Sequence, residues 1–198
     1  MDKRNELKEK LMKEEERYKG PNKVIIFMFI FIAIVGLGAF VFNAKKNSMP
    51  IKRYTGGNYN IGKSMNYKGK EINMTDISYQ IENKKLVLDL NQVINNKIIY
   101  TVYRNKSSNK EVPLAAYIAP SGRLVVVIAM CEPCRSQRFR IRNNILVCET
   151  CGTRWFLNDL RGISGGCVKY PPEEIPYKII NGKIYIDLNI LDNWRLRI

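Results

Sequence analysis

The chain has 198 residues, 45% of them hydrophobic, with 33 Lys and Arg against 18 Asp and Glu and no histidine. That length supports one ordinary domain plus an appendage. Without histidine there can be no Ser/His/Asp triad, no Cys/His protease pair, no HExxH zinc site and no CxxCH haem attachment, so any metal must be held by sulfur or oxygen. The formal charge of +15 favours anionic partners in general and names none of them.

Residues 1–23 are crowded with charge, and Glu6 with Lys10 and Glu9 with Lys13 have the i, i+4 spacing that supports a solvated helix. They read as a charged cytoplasmic segment beside a membrane. Residues 24–42, VIIFMFIFIAIVGLGAFVF, contain no charge. As a helix this run is about 28 Å long, close to the thickness of a hydrocarbon core. It is apolar on every face and leaves through Phe42-Asn43-Ala44-Lys45 with no small-residue cut site, which predicts an uncut single transmembrane helix. Eight Lys and Arg precede it and four, Lys45, Lys46, Lys52 and Arg53, follow soon after. The bias predicts a single-pass cell-membrane protein with a cytoplasmic amino terminus and an extracytoplasmic carboxy-terminal domain.

Residues 43–75, with Pro50, several Gly and many Asn and Lys, read as a linker. The domain at 76–198 is expected to be mainly β, a β-rich α+β fold. Leu86, Leu88 and Leu90 alternate with Val87 and Asp89, and short apolar or β-branched runs at 97–103, 114–119 and 124–130 are separated by Asn, Ser, Pro and Gly. Asn181-Gly182 inside YKIINGKIYIDL is a strong two-residue hairpin signal. No internal repeat stands out beyond paired thiol turns.

Those turns are Cys131-Glu132-Pro133-Cys134 and Cys148-Glu149-Thr150-Cys151-Gly152, and a fifth thiol follows in Gly165-Gly166-Cys167. Two residues between thiols bring both sulfurs to one side of a tight loop, the geometry of a metal chelate. The segment between the turns, RSQRFRIRNNILV, alternates apolar and charged residues and breaks at Asn143-Asn144, so it reads as a hairpin carrying one knuckle to the other. Candidate metal or cofactor ligands are therefore Cys131, Cys134, Cys148, Cys151 and Cys167, with one thiol more than a four-coordinate site needs. Thiolate donors suit zinc, iron, copper(I) or an iron-sulfur cluster. The competing chemistry is a thiol-disulfide oxidoreductase built on Cys131 and Cys134, but Arg135 to Arg142 has period two where that chemistry wants a helix. A zinc-ribbon scaffold for a membrane partner is the third reading. Trp155 and Phe156 read as core, the arginines near the thiols as a charged strand face, and no acid-base pair or other catalytic residue stands out. Nucleic-acid binding is not expected of a domain outside the cytoplasm.

From Gly122 onward the chain resembles the FtrD-like membrane iron-sulfur containing protein family, once grouped as membrane proteins of unknown function. The residues that carry the likeness are Cys131-x-x-Cys134, Cys148-x-x-Cys151-Gly152, Gly165-Gly166-Cys167 and the stretch into IPYKIINGKIYIDLNIL. The resemblance implies a membrane-anchored component of an iron uptake system, with an iron permease or other membrane transport components as partners. It also implies an iron-sulfur centre held by Cys131, Cys134, Cys148, Cys151 and Cys167 that passes electrons. Arg135 stands where the family pattern has glycine, and Val168-Lys169 where it has Asn-Pro. Residues and resemblance together predict a binding or electron-carrying module rather than an enzyme.

Overall fold

The computed structural model describes residues 3–17, 22, 23, 25–28, 32, 56–105 and 107–198. The chain divides into two units, Met1–Ile51 and Lys52–Ile198. In the first, Lys3–Arg17 forms helix α1, with Glu6 in the first turn where a negative charge suits the helix dipole. The membrane span expected at 24–42 lies almost wholly outside the described residues; positions 25–28 and 32 are helical and exposed. Among the described residues no helix is long and apolar enough to cross a membrane.

In the second unit the strands in chain order are β1 (Glu71–Asn73), β2 (Thr75–Asp76), β3 (Gln80–Glu82), β4 (Lys85–Asp89), β5 (Ile98–Asn105), β6 (Lys110–Ile118) and β7 (Leu124–Ile128). They continue as β8 (Phe139–Arg142), β9 (Ile145–Cys148), β10 (Arg154–Phe156), β11 (Gly162–Ser164), β12 (Glu173–Glu174), β13 (Lys178–Ile180) and β14 (Lys183–Asp187). Helix α2 (Leu90–Asn96) follows β4 and helix α3 (Leu188–Asn193) follows β14. From Gly56 on, the stretch expected as a linker to residue 75 already belongs to the fold. Asn60 bridges Arg123, the Tyr67 ring is buried with its hydroxyl donating to the Ile118 carbonyl at 2.8 Å, and β1 and β2 lie inside it. Burial against distant strands orders a segment whose own sequence carries little periodicity.

The strands form three sheets in the orders β1-β8-β9-β10-β11, β12-β7-β6-β5-β2 and β13-β14-β4-β3. The second sheet is the middle layer, as the side chains of its strands show. Ala115, Tyr117, Val125 and Val127 pack with Phe139, Ile141, Leu146 and Trp155 of the first sheet. Their neighbours Leu114, Ala116, Val126 and Ile128 pack with Leu86, Leu88, Ile184 and Ile186 of the third. A strand alternates its side chains between faces, so β6 and β7 must be apolar at nearly every position to bury both. That is why their sequences read as unbroken apolar runs.

The third sheet contains a repeat that the sequence reading missed. Residues 79–91 (YQIENKKLVLDLN) and 177–189 (YKIINGKIYIDLN) match in kind at Tyr, Ile, Asn, Lys, two large aliphatics, Asp, Leu and Asn. Each forms a hairpin, a strand and a short helix. The turns, Asn83-Lys84 and Asn181-Gly182, have positive φ at both residues. Asp89 and Asp187 cap α2 and α3 alike, accepting from the amides of Asn91 and Asn189 at 2.8 and 2.9 Å. β4 and β14 pair antiparallel about Val87↔Tyr185, the register a local twofold axis requires. The same symmetry appears in two reciprocal bonds, Leu90 N–H to the Gly182 carbonyl (3.0 Å) and Leu188 N–H to the Lys84 carbonyl (3.1 Å).

Candidate metal centre

Both CxxC turns are built by the same backbone device. In the first, Cys131 N–H donates to the Ser136 carbonyl at 2.8 Å; in the second, Cys148 N–H donates to the Thr153 carbonyl at 2.9 Å. The residue after the second thiol is left-handed in both, Arg135 at φ 59° and Gly152 at φ 67°. Arginine therefore adopts the conformation that glycine takes in the second turn, at the cost of a Cβ in an unfavourable region. β8 and β9 join the knuckles as the expected hairpin, with Phe139 opposite Cys148 and the turn at Asn143-Asn144.

This hairpin brings four sulfurs together. Sγ of Cys131 lies 3.9 Å from that of Cys151, Sγ of Cys134 lies 3.7 Å from that of Cys148, and all four are within 4.8 Å of one another. Cys131 and Cys148 are buried, Cys134 is half-buried and Cys151 is exposed, so the group sits at the domain surface with one knuckle deeper than the other. Cys167 is also buried in the core that contains Cys131 and Cys148, but outside this mutually close set of four. It lies in the same buried cluster as Cys131, whose thiol it influences.

The surroundings sort the thiols by acidity. Burial pushes Cys131 up, and its hydrogen bonds and charge interactions with Cys134, Cys148 and Cys167 add to the rise. Burial also raises Cys148, against the amides of Cys151 and Thr150 and the Ser136 hydroxyl, which offer hydrogen bonds to its sulfur. Burial would raise Cys151 too, but hydrogen bonds from the Thr153 hydroxyl and amide and from neighbouring thiols prevail, and it falls to about 6.

Several residues that sequence reasoning did not single out complete the site. Thr153 is fully buried; its Oγ1 lies 3.1 Å from Cys151 Sγ and accepts from the Cys167 amide at 3.2 Å, tying the fifth cysteine to the second knuckle. Gly165, at φ 115°, allows that approach, because a Cβ there would stand 2.5 Å from Thr153 Oγ1. Ser136 and Thr153 occupy the same place, two residues after the second thiol of each turn, and that shared hydroxyl was the readable signal. Glu132 is 1% exposed and receives Arg197 through the backbone amide (2.8 Å) and Nε (2.5 Å), so a residue near the carboxy terminus clamps the first knuckle. Trp155 is fully buried, meets Phe139 edge-on at 6.1 Å and donates through Nε1 to the Val168 carbonyl, next to Cys167.

Four of the arginines near the thiols, Arg138, Arg140, Arg142 and Arg161, are engaged with other partners. Arg138 forks onto Asp76 at 2.8 and 3.1 Å and stacks over Tyr100, Arg140 and Arg142 meet Glu71, and Arg161 meets Asp159 and lies over Phe156. Phe156 is therefore a surface residue, at 40% exposure, whereas Trp155 is core. Among the described residues neither CxxC opens a helix: the first leads into β8 and the second into β10. The helix dipole that activates a thioredoxin-like thiol is thus absent at both.

A β-rich domain with four converging cysteines defines a thiolate site able to hold a metal. The chain belongs to the FtrD-like family, described as membrane iron-sulfur containing proteins, which matches residues 93–197, more than half of its length. No curated protein and no solved structure matches it.

The iron-sulfur group in the family's description can be tested against these sulfurs. Thiolates bound to one ion at about 2.3 Å form a tetrahedron with edges of about 3.8 Å. Thiolates on different irons of a sulfide-bridged cluster stand about 5.5 Å or more apart. The four sulfurs, all within 4.8 Å, fit one ion and are too close for a bridged cluster.

Proposed function

We propose that this chain is a membrane-anchored, extracytoplasmic metal-binding protein whose thiolate centre serves iron or other metal transport, or the electron transfer that accompanies it. The observation that carries the reading is the convergence of Cys131, Cys134, Cys148 and Cys151 in a chain with no histidine. With imidazole absent, thiolate is the soft donor that the fold gathers in one place, and soft donors select zinc, iron and copper(I). The family description supports a membrane metal protein, and the uncharged run at 24–42 supports the anchor. The partners that suit it are the membrane and transport components within it, such as an iron permease. The centre acts as a binding or electron-carrying module and not as an enzyme.

Purification of the full-length chain without oxygen, followed by elemental analysis and a visible spectrum, tests the centre. At least one metal per chain is expected; less than one, with all five thiols titratable, sinks the reading. An alkaline phosphatase fusion after Ile198 tests the topology, and its inactivity would place the domain on the cytoplasmic side.

A further inference from the structure

We propose that the four thiolates of Cys131, Cys134, Cys148 and Cys151 enclose a single metal ion with no bridging sulfide, and that Cys167 stands beside it as a buried neighbour, not a fifth ligand. The inference rests on the metal-binding reading above and departs from the iron-sulfur description of the family.

The distances between knuckles decide the question. In a bridged cluster, at least two of the four thiolates bind different irons, and those pairs must open to about 5.5 Å or more. Here both close cross-knuckle pairs, at 3.9 and 3.7 Å, match the edge of a single-ion tetrahedron, and no pair among the four exceeds 4.8 Å. The knuckles cannot separate freely to admit sulfide. β8 and β9 pair directly between them, with Phe139 opposite Cys148, and Cys131 and Cys148 are both buried in the same core. Separating the buried sulfurs of Cys131 and Cys148 would disturb the core they share with Phe139 and Trp155.

Cys167 is held differently from the other four. Its amide is fixed to Thr153 Oγ1, and the Trp155 indole grips the next carbonyl, so its backbone is positioned by the second knuckle's supports. A tetrahedral ion with four thiolates has no position left for it. Its amide donates to Thr153 Oγ1, which also lies 3.1 Å from Cys151 Sγ, and this shared hydroxyl places it among the outer groups that adjust the electron density on a ligand sulfur.

The unaltered full-length chain, purified without oxygen, provides the test by three measurements: metal per chain, acid-labile sulfide, and X-ray absorption at the edge of the metal found. One ion per chain, no labile sulfide and a sulfur shell at about 2.3 Å without a metal neighbour are expected. Labile sulfide in proportion to iron, or a metal neighbour at about 2.7 Å, would overturn the single-ion site while leaving the metal-binding reading standing. Absence of metal would overturn both. Cys167→Ser should keep the metal content of the unaltered chain and shift only its absorption bands, whereas Cys148→Ser should lower metal content at least fivefold. A comparable loss in Cys167→Ser, with unchanged circular dichroism, would make Cys167 a ligand.

Discussion

In the first knuckle Cys131 is fully buried, Glu132 is buried under Arg197, and the left-handed position is filled by Arg135. In the second, Cys151 and Glu149 are exposed and the left-handed position is Gly152. The bond that closes each turn, from the first cysteine's amide to the carbonyl five residues on, is nonetheless the same. Turn geometry is thus set by a short amide-to-carbonyl bond and one left-handed residue, while packing decides which sulfur meets solvent. A metal or an electron entering the centre would arrive over Cys151.

Changes in the two knuckles should break this comparison by graded amounts. Trp155→Ala removes the floor shared by both knuckles and should cost about 3–5 kcal/mol in denaturant unfolding, lowering metal content whichever knuckle is probed. Cys131→Ser and Cys151→Ser should both abolish stoichiometric metal. Only the buried change should also weaken the metal-free protein, by about 1–3 kcal/mol, because its hydroxyl has to be desolvated. Glu132→Gln should cost about 1–3 kcal/mol by loosening Arg197, whereas Glu149→Gln at the exposed equivalent should stay within about 0.5 kcal/mol. Equal effects of this last pair would show that the clamp contributes nothing. The two left-handed positions should respond with opposite sign: Arg135→Gly stabilises and Gly152→Ala destabilises, each by about 1 kcal/mol in thermal or denaturant melts.

What could be read in the sequence was local chemistry. The paired CxxC spacing, the alternation around Phe139 and Ile141, and the turns at Asn143-Asn144 and Asn181-Gly182 each express a rule that acts within a dozen residues. The three-layer arrangement was hidden, because a strand buried on both faces, such as Leu124–Ile128, loses the alternation that would show which side faces what. β1 and β2 were hidden because they are two or three residues long and largely exposed, and exist through pairing with β8 and β5. The short helices α2 and α3 depend on Asp89 and Asp187, each placed directly after a strand pattern that masks the cap. Glu132 with Arg197, and Thr153 with Cys167, are tertiary pairings without any local signature.

The reciprocal bonds from Leu90 to Gly182 and from Leu188 to Lys84 impose an order of events on folding. Each hairpin can close by itself, but their joining at Val87↔Tyr185 spans most of the domain and carries a large loop-closure entropy. Until β14 docks beside β4, Leu114, Val126 and Ile128 lack part of their cover, and the half-made domain offers a sticky apolar sheet to its neighbours. The thiol hairpin, complete within residues 131–153, needs none of that closure, so an ion could be captured while the opposite layer is still assembling.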